Sequence, residues 1–110
     1  MQTVLLFENK PEVAKRYQKR FKYILVDEYQ DVNSVQVKLL QQLKPKNLFC
    51  VGDPRQSIYG WRGSDVNHIM QFSDNHAKPS VICLTKNYRS TDHIVSFANK
   101  AVEHMKLPCL

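Results

Sequence analysis

The chain is 110 residues long and 43% hydrophobic, which suits one compact globular unit with a modest core rather than two domains. No run approaches the roughly 18 apolar residues of a membrane span, and residues 1 to 7 lack the basic start of a signal peptide. Sixteen Lys and Arg against ten Asp and Glu give a formal net charge of +6, which favours a polyanionic partner such as nucleic acid without requiring one. The cysteines form no CxxC pair, so no zinc site is indicated. We therefore expect an intracellular protein.

Predicted strands and helices alternate along the chain, a pattern typical of an α/β fold. A helix is predicted to begin at Pro11, because apolar residues then recur at helical spacing. Short runs that are apolar on both faces, as buried parallel strands are, lie at residues 23 to 26, 47 to 52 and 80 to 84. Ser34 is predicted to cap a further helix, which ends before Pro45, and Asp65 to cap another. A last helix is predicted to run from about Ser90. We expect a parallel three-stranded sheet flanked by helices.

Acidic residues follow the first predicted strand directly, in the stretch VDEYQD (residues 26 to 31). The carboxyl ends of parallel strands form the ligand-binding edge of a sheet, and Asp27 stands on that edge. A carboxylate there is costly without a cation, and beside bound phosphates it suits Mg²⁺, which takes oxygen ligands and keeps several waters. The neighbouring Glu28 can then orient a water for attack on a phosphoryl group. The alternative is that Asp27 and Asp31 only cap the turn into the next helix.

The second predicted strand ends in VGDPRQSIYGWRGSD (residues 51 to 65), a stretch with two kinds of candidate. Gln56 should face the same crevice as Asp27 and can hydrogen-bond a phosphate oxygen or a water. Beyond it, Tyr59, Trp61 and Arg62 stand among glycines, a combination that fits a platform on which unpaired bases stack. The alternative for these three is a small core cluster, with Trp61 filling a gap under the loop.

The third predicted strand ends in LTKNYRS (residues 84 to 90), which places Tyr88 and Arg89 at the same edge. Arg89 can bridge phosphate oxygens bidentately, and Tyr88 can stack on a purine ring. Taken alone, the stretch is only a polar strand-to-helix turn.

Together the three strand ends resemble the UvrD/Rep type of superfamily 1 DNA helicase. VDEYQD is similar to that family's motif II, VGDPRQSIYGWRGSD to motif III and LTKNYRS to motif IV, in the right order and at plausible spacing. The resemblance covers essentially the whole chain. It implies a RecA-like P-loop NTPase fold and an ATP-dependent helicase that moves 3′ to 5′ on single-stranded DNA and unwinds duplex junctions. It also implies a cytoplasmic, nucleoid-associated protein.

The resemblance further implies a role for each matching residue, with ATP and Mg²⁺ as cofactors. Asp27 would hold the metal, and Glu28 would activate the attacking water. Gln56 would sense the γ-phosphate, Arg89 would stabilise the charge developing on it, and Tyr88 would pack against the adenine. Two further residues, Gln30 and Asp31, would link the nucleotide cleft to neighbouring motifs. The residues that would contact single-stranded DNA are Tyr59, Trp61 and Arg62.

The sequence departs from the family pattern in two ways. Many members carry acidic residues where Pro54 and Arg55 stand, and the chain has no GxxxxGK[ST] phosphate loop. We therefore expect residues 1 to 110 to be a single partial domain, the C-terminal portion of the first motor domain (1A) of a longer helicase. Two alternatives stay open: a helicase subunit of a recombination helicase-nuclease complex, and a non-catalytic DNA-binding or interaction module.

Overall fold

The computed structural model describes residues 1–76 and 78–105, which fall into two compact units divided between Ile69 and Met70. The first unit contains α1 (Gln2–Asn9), α2 (Pro11–Arg20), β1 (Ile24–Val26), α3 (Ser34–Leu43) and β2 (Leu48–Cys50). It also has 3₁₀ turns at Tyr29–Asp31, Pro54–Gln56 and Gly60–Arg62. The short helix α4 (Asn67–Met70) ends one residue beyond the division, and α5 (Phe72–Asn75) and α6 (Asp92–Val102) belong to the second unit. Within the described ranges, no helix is long and apolar enough to cross a membrane.

Helices α1, α2 and α3 pack against one another in the first unit. Val4, Phe7 and Ala14 are buried there, and the Phe7 and Tyr17 rings lie 5.6 Å apart. The Gln42 side chain of α3 donates to the Val4 carbonyl of α1 at 3.3 Å, which ties the first helix to the third. Helix α1 was not predicted from the sequence.

Two predicted helix starts are confirmed, and a third lies close to its prediction. Helix α2 begins at Pro11, whose fixed φ and missing N–H suit the first turn, and Glu12 complements the helix dipole there. Helix α4 follows Asp65, whose carboxylate accepts from the Asn67 N–H at 2.9 Å. The last helix begins at Asp92, within two residues of the predicted start.

The cap of α3 differs by one residue from the prediction. Asn33, not Ser34, caps the helix: its side-chain oxygen accepts from the Gln36 N–H at 3.0 Å, and the Gln36 side chain accepts from the Asn33 N–H at 2.9 Å. This reciprocal pair satisfies two N–H groups that would otherwise lack partners. The helix stops as predicted before Pro45, because Lys44 turns into the left-handed region with φ 45°.

The two strands β1 and β2 are parallel, which confirms the α/β class in its coarser form. Their register pairs Ile24 with Leu48, Leu25 with Phe49 and Val26 with Cys50. Leu25 and Phe49, which are partners on one face, are 73% and 59% exposed. One face of this small sheet is therefore open.

The predicted third strand is wrong for the structure described. Residues 80 to 84 form no strand, and Val81, Ile82 and Leu84 are 63%, 78% and 88% exposed. A strand exists only through hydrogen bonds to a neighbouring strand, so an apolar run that finds no such neighbour stays irregular whatever its propensity. The sheet in the described residues consequently has two strands, not three.

Candidate functional site

The chain leaves β1 through Asp27 and Glu28, at the carboxyl end of the strand. Glu28 has a left-handed backbone with φ 50° and ψ 47°, a conformation that costs a residue with a side chain about 1 to 3 kcal/mol. Neighbouring groups hold this turn: the Asp27 carboxylate accepts from the Glu28 N–H at 3.0 Å, and the Tyr29 N–H donates to the Val51 carbonyl at 2.8 Å. Because such strained residues concentrate at active sites, geometry as well as sequence makes Glu28 a candidate.

Gln30 is 1% exposed, and both ends of its side-chain amide are paired. The amide nitrogen donates to the Glu28 carboxylate at 2.8 Å and to the Asp31 carboxylate at 3.3 Å. The amide oxygen accepts from the Asp53 N–H at 3.1 Å, and the Gln30 carbonyl accepts from the Ser57 hydroxyl at 3.3 Å. Carboxylates accept and a backbone N–H donates, so the orientation of the amide is fixed. Gln30 therefore joins the turn after β1 to the loop after β2.

Gly52 lies against this amide and leaves no room for a side chain. A Cβ atom there would come within 2.7 Å of the Gln30 amide oxygen, 2.9 Å of the Ile69 Cδ1 atom and 3.1 Å of the Tyr29 nitrogen. The missing side chain of this glycine permits a close approach of the loop after β2 to Gln30, which was not predicted from the sequence.

Asp53 organises the loop after β2. One carboxylate oxygen accepts from the Arg55 N–H at 3.0 Å and from the Arg55 guanidinium at 2.9 Å, and the other accepts from the Gln56 amide at 3.0 Å. Partial burial acts to raise the pKa of Asp53, but these hydrogen bonds and the charge of Arg55 outweigh it, so the pKa lies below its ordinary value. Asp53 thus holds Gln56 in place as an ionised carboxylate.

A cavity of about 350 Å³ is lined by the turn after β1 and the loop after β2. Two of the side chains predicted to work on the nucleotide, Glu28 and Gln56, line it, whereas Asp27, predicted to face the same crevice as Gln56, does not. Tyr59, predicted for DNA, lines it as well. The remaining lining residues are Gln30, Asp31 and Ile58. The structure therefore brings members of motifs II and III around one space.

The aromatic cluster of motif III stands at the surface. The Arg62 guanidinium lies 4.4 Å from the centroid of the Trp61 ring and 5.2 Å from that of Tyr59. The two rings are 6.4 Å apart and tilted by 55°. Trp61 is 74% exposed and Tyr59 is 38% exposed, so Trp61 does not fill a gap under the loop. We name the side chains of Tyr59, Trp61 and Arg62 the aromatic platform.

Tyr88 and Arg89 belong to the second unit, on the segment before α6. The Asn87 side-chain oxygen accepts from the N–H groups of Arg89 and Ser90, both at 2.9 Å, which shapes a turn. The Lys86 ammonium lies 5.1 Å from the centre of the Tyr88 ring, and Tyr88 is 84% exposed. Tyr88 and Arg89 are therefore exposed to solvent, and both lie on a turn that the Asn87 side chain holds in place.

The predicted metal ligand Asp27 is exposed at the end of β1. Within the described ranges, no group of three or more His, Cys, Asp or Glu side chains could hold a metal ion. A single exposed carboxylate nevertheless fits Mg²⁺ bound together with a nucleotide, because that ion takes phosphate oxygens and waters as its other ligands.

Contacts between the end of motif III and the start of α3 were missed by sequence reasoning. The Asp65 N–H donates to the Val32 carbonyl at 3.2 Å, and Asn33 and Ser64 form an isolated antiparallel bridge. Backbone pairing of this kind carries no side-chain signature, so no sequence signal could have found it. This pairing holds the loop that carries the aromatic platform against the segment that follows motif II.

The chain is similar in sequence to known DNA helicases. Residues 1–77 match the family model described as the UvrD/REP helicase N-terminal domain. The chain is 48% identical over 106 residues to the ATP-dependent DNA helicase PcrA of Staphylococcus epidermidis strain ATCC 35984, and equally so to that of Staphylococcus aureus strain Mu50. Each match covers 94% of this chain and 14% of the relative. The chain thus spans about one seventh of the length of these relatives.

Proposed function

The chain belongs to the UvrD/REP helicase family, and from this premise we propose that it is a segment of the first motor domain of an ATP-dependent DNA helicase. The domain would have a RecA-like fold, and the phosphate loop would come from another part of the parent protein. The parent would act in the cytoplasm at the nucleoid, moving 3′ to 5′ on single-stranded DNA and unwinding duplex junctions. The observation that carries the proposal is the cavity shared by Glu28, Gln56 and Tyr59, the last of which also belongs to the aromatic platform.

On the nucleotide side, Glu28 would accept a proton from the attacking water, because it is a carboxylate at a strand end that lines the cavity. Asp27 would hold Mg²⁺, which when bound neutralises charge on the phosphates. Gln56 would contact the γ-phosphate from the loop that Asp53 holds. Arg89 would stabilise charge on the transferred group and Tyr88 would stack on the adenine, roles that their exposure permits.

On the DNA side, the aromatic platform would stack unpaired bases. Trp61 offers an exposed ring face, and Arg62 adds a positive charge beside it that suits a phosphate backbone. Tyr59 reaches from the platform into the cavity lining. The nucleotide and the DNA would therefore contact the same continuous loop.

The test is Glu28→Gln in the complete parent protein, with Glu12→Gln as the matched control. Glu12 is exposed in the first turn of α2. Glu28→Gln keeps the size of the side chain but removes the base, so ATP turnover should fall by about 10²- to 10⁴-fold while ATP still binds. Glu12→Gln should turn over like wild type. Wild-type turnover in Glu28→Gln would rule out the assigned role.

A further inference from the structure

We propose that Gln30 is a positioning residue that fixes the Glu28 carboxylate to the loop after β2, so that base and loop move as one unit. This inference rests on the proposed function, because it assigns Gln30 a task in a reaction that Glu28 would perform. Among the described residues, Gln30 is the one polar side chain that is less than 2% exposed.

A glutamine buried only to fill space would be a poor choice. Burying an amide is unfavourable unless both of its ends are hydrogen-bonded, and an apolar side chain of similar volume would fill the same space without that requirement. The partners of Gln30 are the Glu28 carboxylate on one side and the Asp53 N–H on the other. The amide is therefore placed where it connects two parts of the site.

The connection continues beyond Asp53 to the ligand-facing groups. Asp53 accepts from the Gln56 amide at 3.0 Å, and the Ser57 hydroxyl donates to the Gln30 carbonyl at 3.3 Å. A displacement of Asp53 or Ser57 by about 1 Å would break bonds to Gln30, since hydrogen bonds weaken steeply beyond their usual length. The Glu28 carboxylate would then lose its donor. Loop position and base position are linked through one side chain.

Gly52 makes this link depend on close packing. Its missing side chain lets the loop approach the Gln30 amide oxygen, which a Cβ would meet at 2.7 Å. Gly52→Ala is therefore a second way to displace Gln30 that leaves its chemistry unchanged.

The experiment uses the complete parent protein with Gln30→Met, which keeps the length of the side chain and removes every side-chain hydrogen bond. Gln41→Met is the control, since Gln41 is exposed on α3. ATP turnover is measured with and without single-stranded DNA and expressed per molecule that a separate titration shows to be able to bind DNA, so that unfolded protein does not count. Gln30→Met should lower kcat by about 10- to 100-fold, as loss of the partners that orient a reactive group commonly does. ATP affinity should be unchanged, and stimulation by DNA should fall.

A double-mutant cycle separates positioning from a merely structural role. If Gln30 acts through Glu28, Gln30→Met should lower turnover little or not at all in the Glu28→Gln background. Gly52→Ala should show the same turnover defect as Gln30→Met. If Gln30→Met does not fold, Gln30→Glu replaces it, because it is nearly isosteric and turns the donor facing Glu28 into an acceptor.

Three possible results test the positioning role of Gln30 and the proposed function separately. A Gln30 variant with wild-type kcat and DNA stimulation, beside an inactive Glu28→Gln protein, overturns the positioning role and leaves the proposed function standing. An equal loss in both backgrounds overturns it too, because the effect would not pass through Glu28. Wild-type turnover by Glu28→Gln instead removes the proposed function itself.

Discussion

Replacing Gly52 with alanine would place a methyl group against the amide that joins the two halves of the site. The new Cβ would lie 2.7 Å from the Gln30 amide oxygen and 2.9 Å from the Ile69 Cδ1 atom. Gln30 cannot retreat without losing a partner, because it is 1% exposed and its amide oxygen accepts from the Asp53 N–H. Either the crowding persists or that hydrogen bond breaks.

The two possibilities cost similar amounts. Overpacking a well-filled site costs about 1 to 3 kcal/mol, and leaving a buried N–H unpaired costs about 1 to 3 kcal/mol. Only the smaller of these costs is incurred, and alanine recovers about 0.4 to 1 kcal/mol by restricting the unfolded chain. The middle of these ranges gives an expected net loss of about 1 kcal/mol in the free energy of local opening.

Hydrogen exchange in the complete parent protein measures this loss. Amides in residues 26 to 32 and 51 to 57 should exchange about 5-fold faster in Gly52→Ala than in wild type. Gly60→Ala is the matched control, since a Cβ at Gly60 would meet nothing within 4 Å, and its local exchange should not be accelerated. Wild-type protection in Gly52→Ala would refute the close-packing argument.

Three further outcomes follow from the site. Trp61→Ala in the complete protein should weaken single-stranded DNA binding by about 1 to 3 kcal/mol with little change in melting temperature, because the ring is 74% exposed; a large fall in melting temperature with unchanged affinity would contradict the platform. The chain by itself should show no measurable ATPase, since it lacks the phosphate loop, and turnover abolished by Glu28→Gln would contradict this. The pKa of Asp53 lies below its ordinary value, so its stabilising effect should be complete above about pH 4 and vanish as the pH falls through the folded-state pKa. Urea unfolding of Asp53→Asn and wild type should differ at pH 7 and converge in acid; a difference that is the same at both pH values would contradict the assignment.

The places where sequence reasoning succeeded are those governed by local chemistry. Pro11 fixes the start of α2 and Pro45 the end of α3, because proline restricts its own backbone and that of the preceding residue. The apolar runs before Asp27 and Gly52 form the parallel pair β1 and β2. Glu28 and Gln56 line one cavity because both come after strand ends on the same edge, but Asp27, which was predicted to face the same crevice as Gln56, does not line it.

The failures concern features that depend on partners far along the chain. Residues 80 to 84 have strand propensity but no strand beside them in the structure described. Helix α1 was missed because residues 4 to 7 are a continuous apolar run, which lacks helical periodicity. The burial of Gln30 could not be predicted, because the composition of VDEYQD does not show which polar side chain is buried. The tight fit of Gly52 likewise depends on where Gln30 lies.

The most direct test of a joint ATP and DNA site is ATP turnover by the complete parent protein with and without single-stranded DNA, in wild type and in Trp61→Ala. We expect DNA to stimulate the wild-type enzyme. We also expect Trp61→Ala to keep its basal turnover and to lose most of that stimulation even at saturating DNA, because the platform and the cavity share Tyr59 and one loop. Full stimulation of Trp61→Ala at saturating DNA would show that the ATP and DNA sites are not joined in this way.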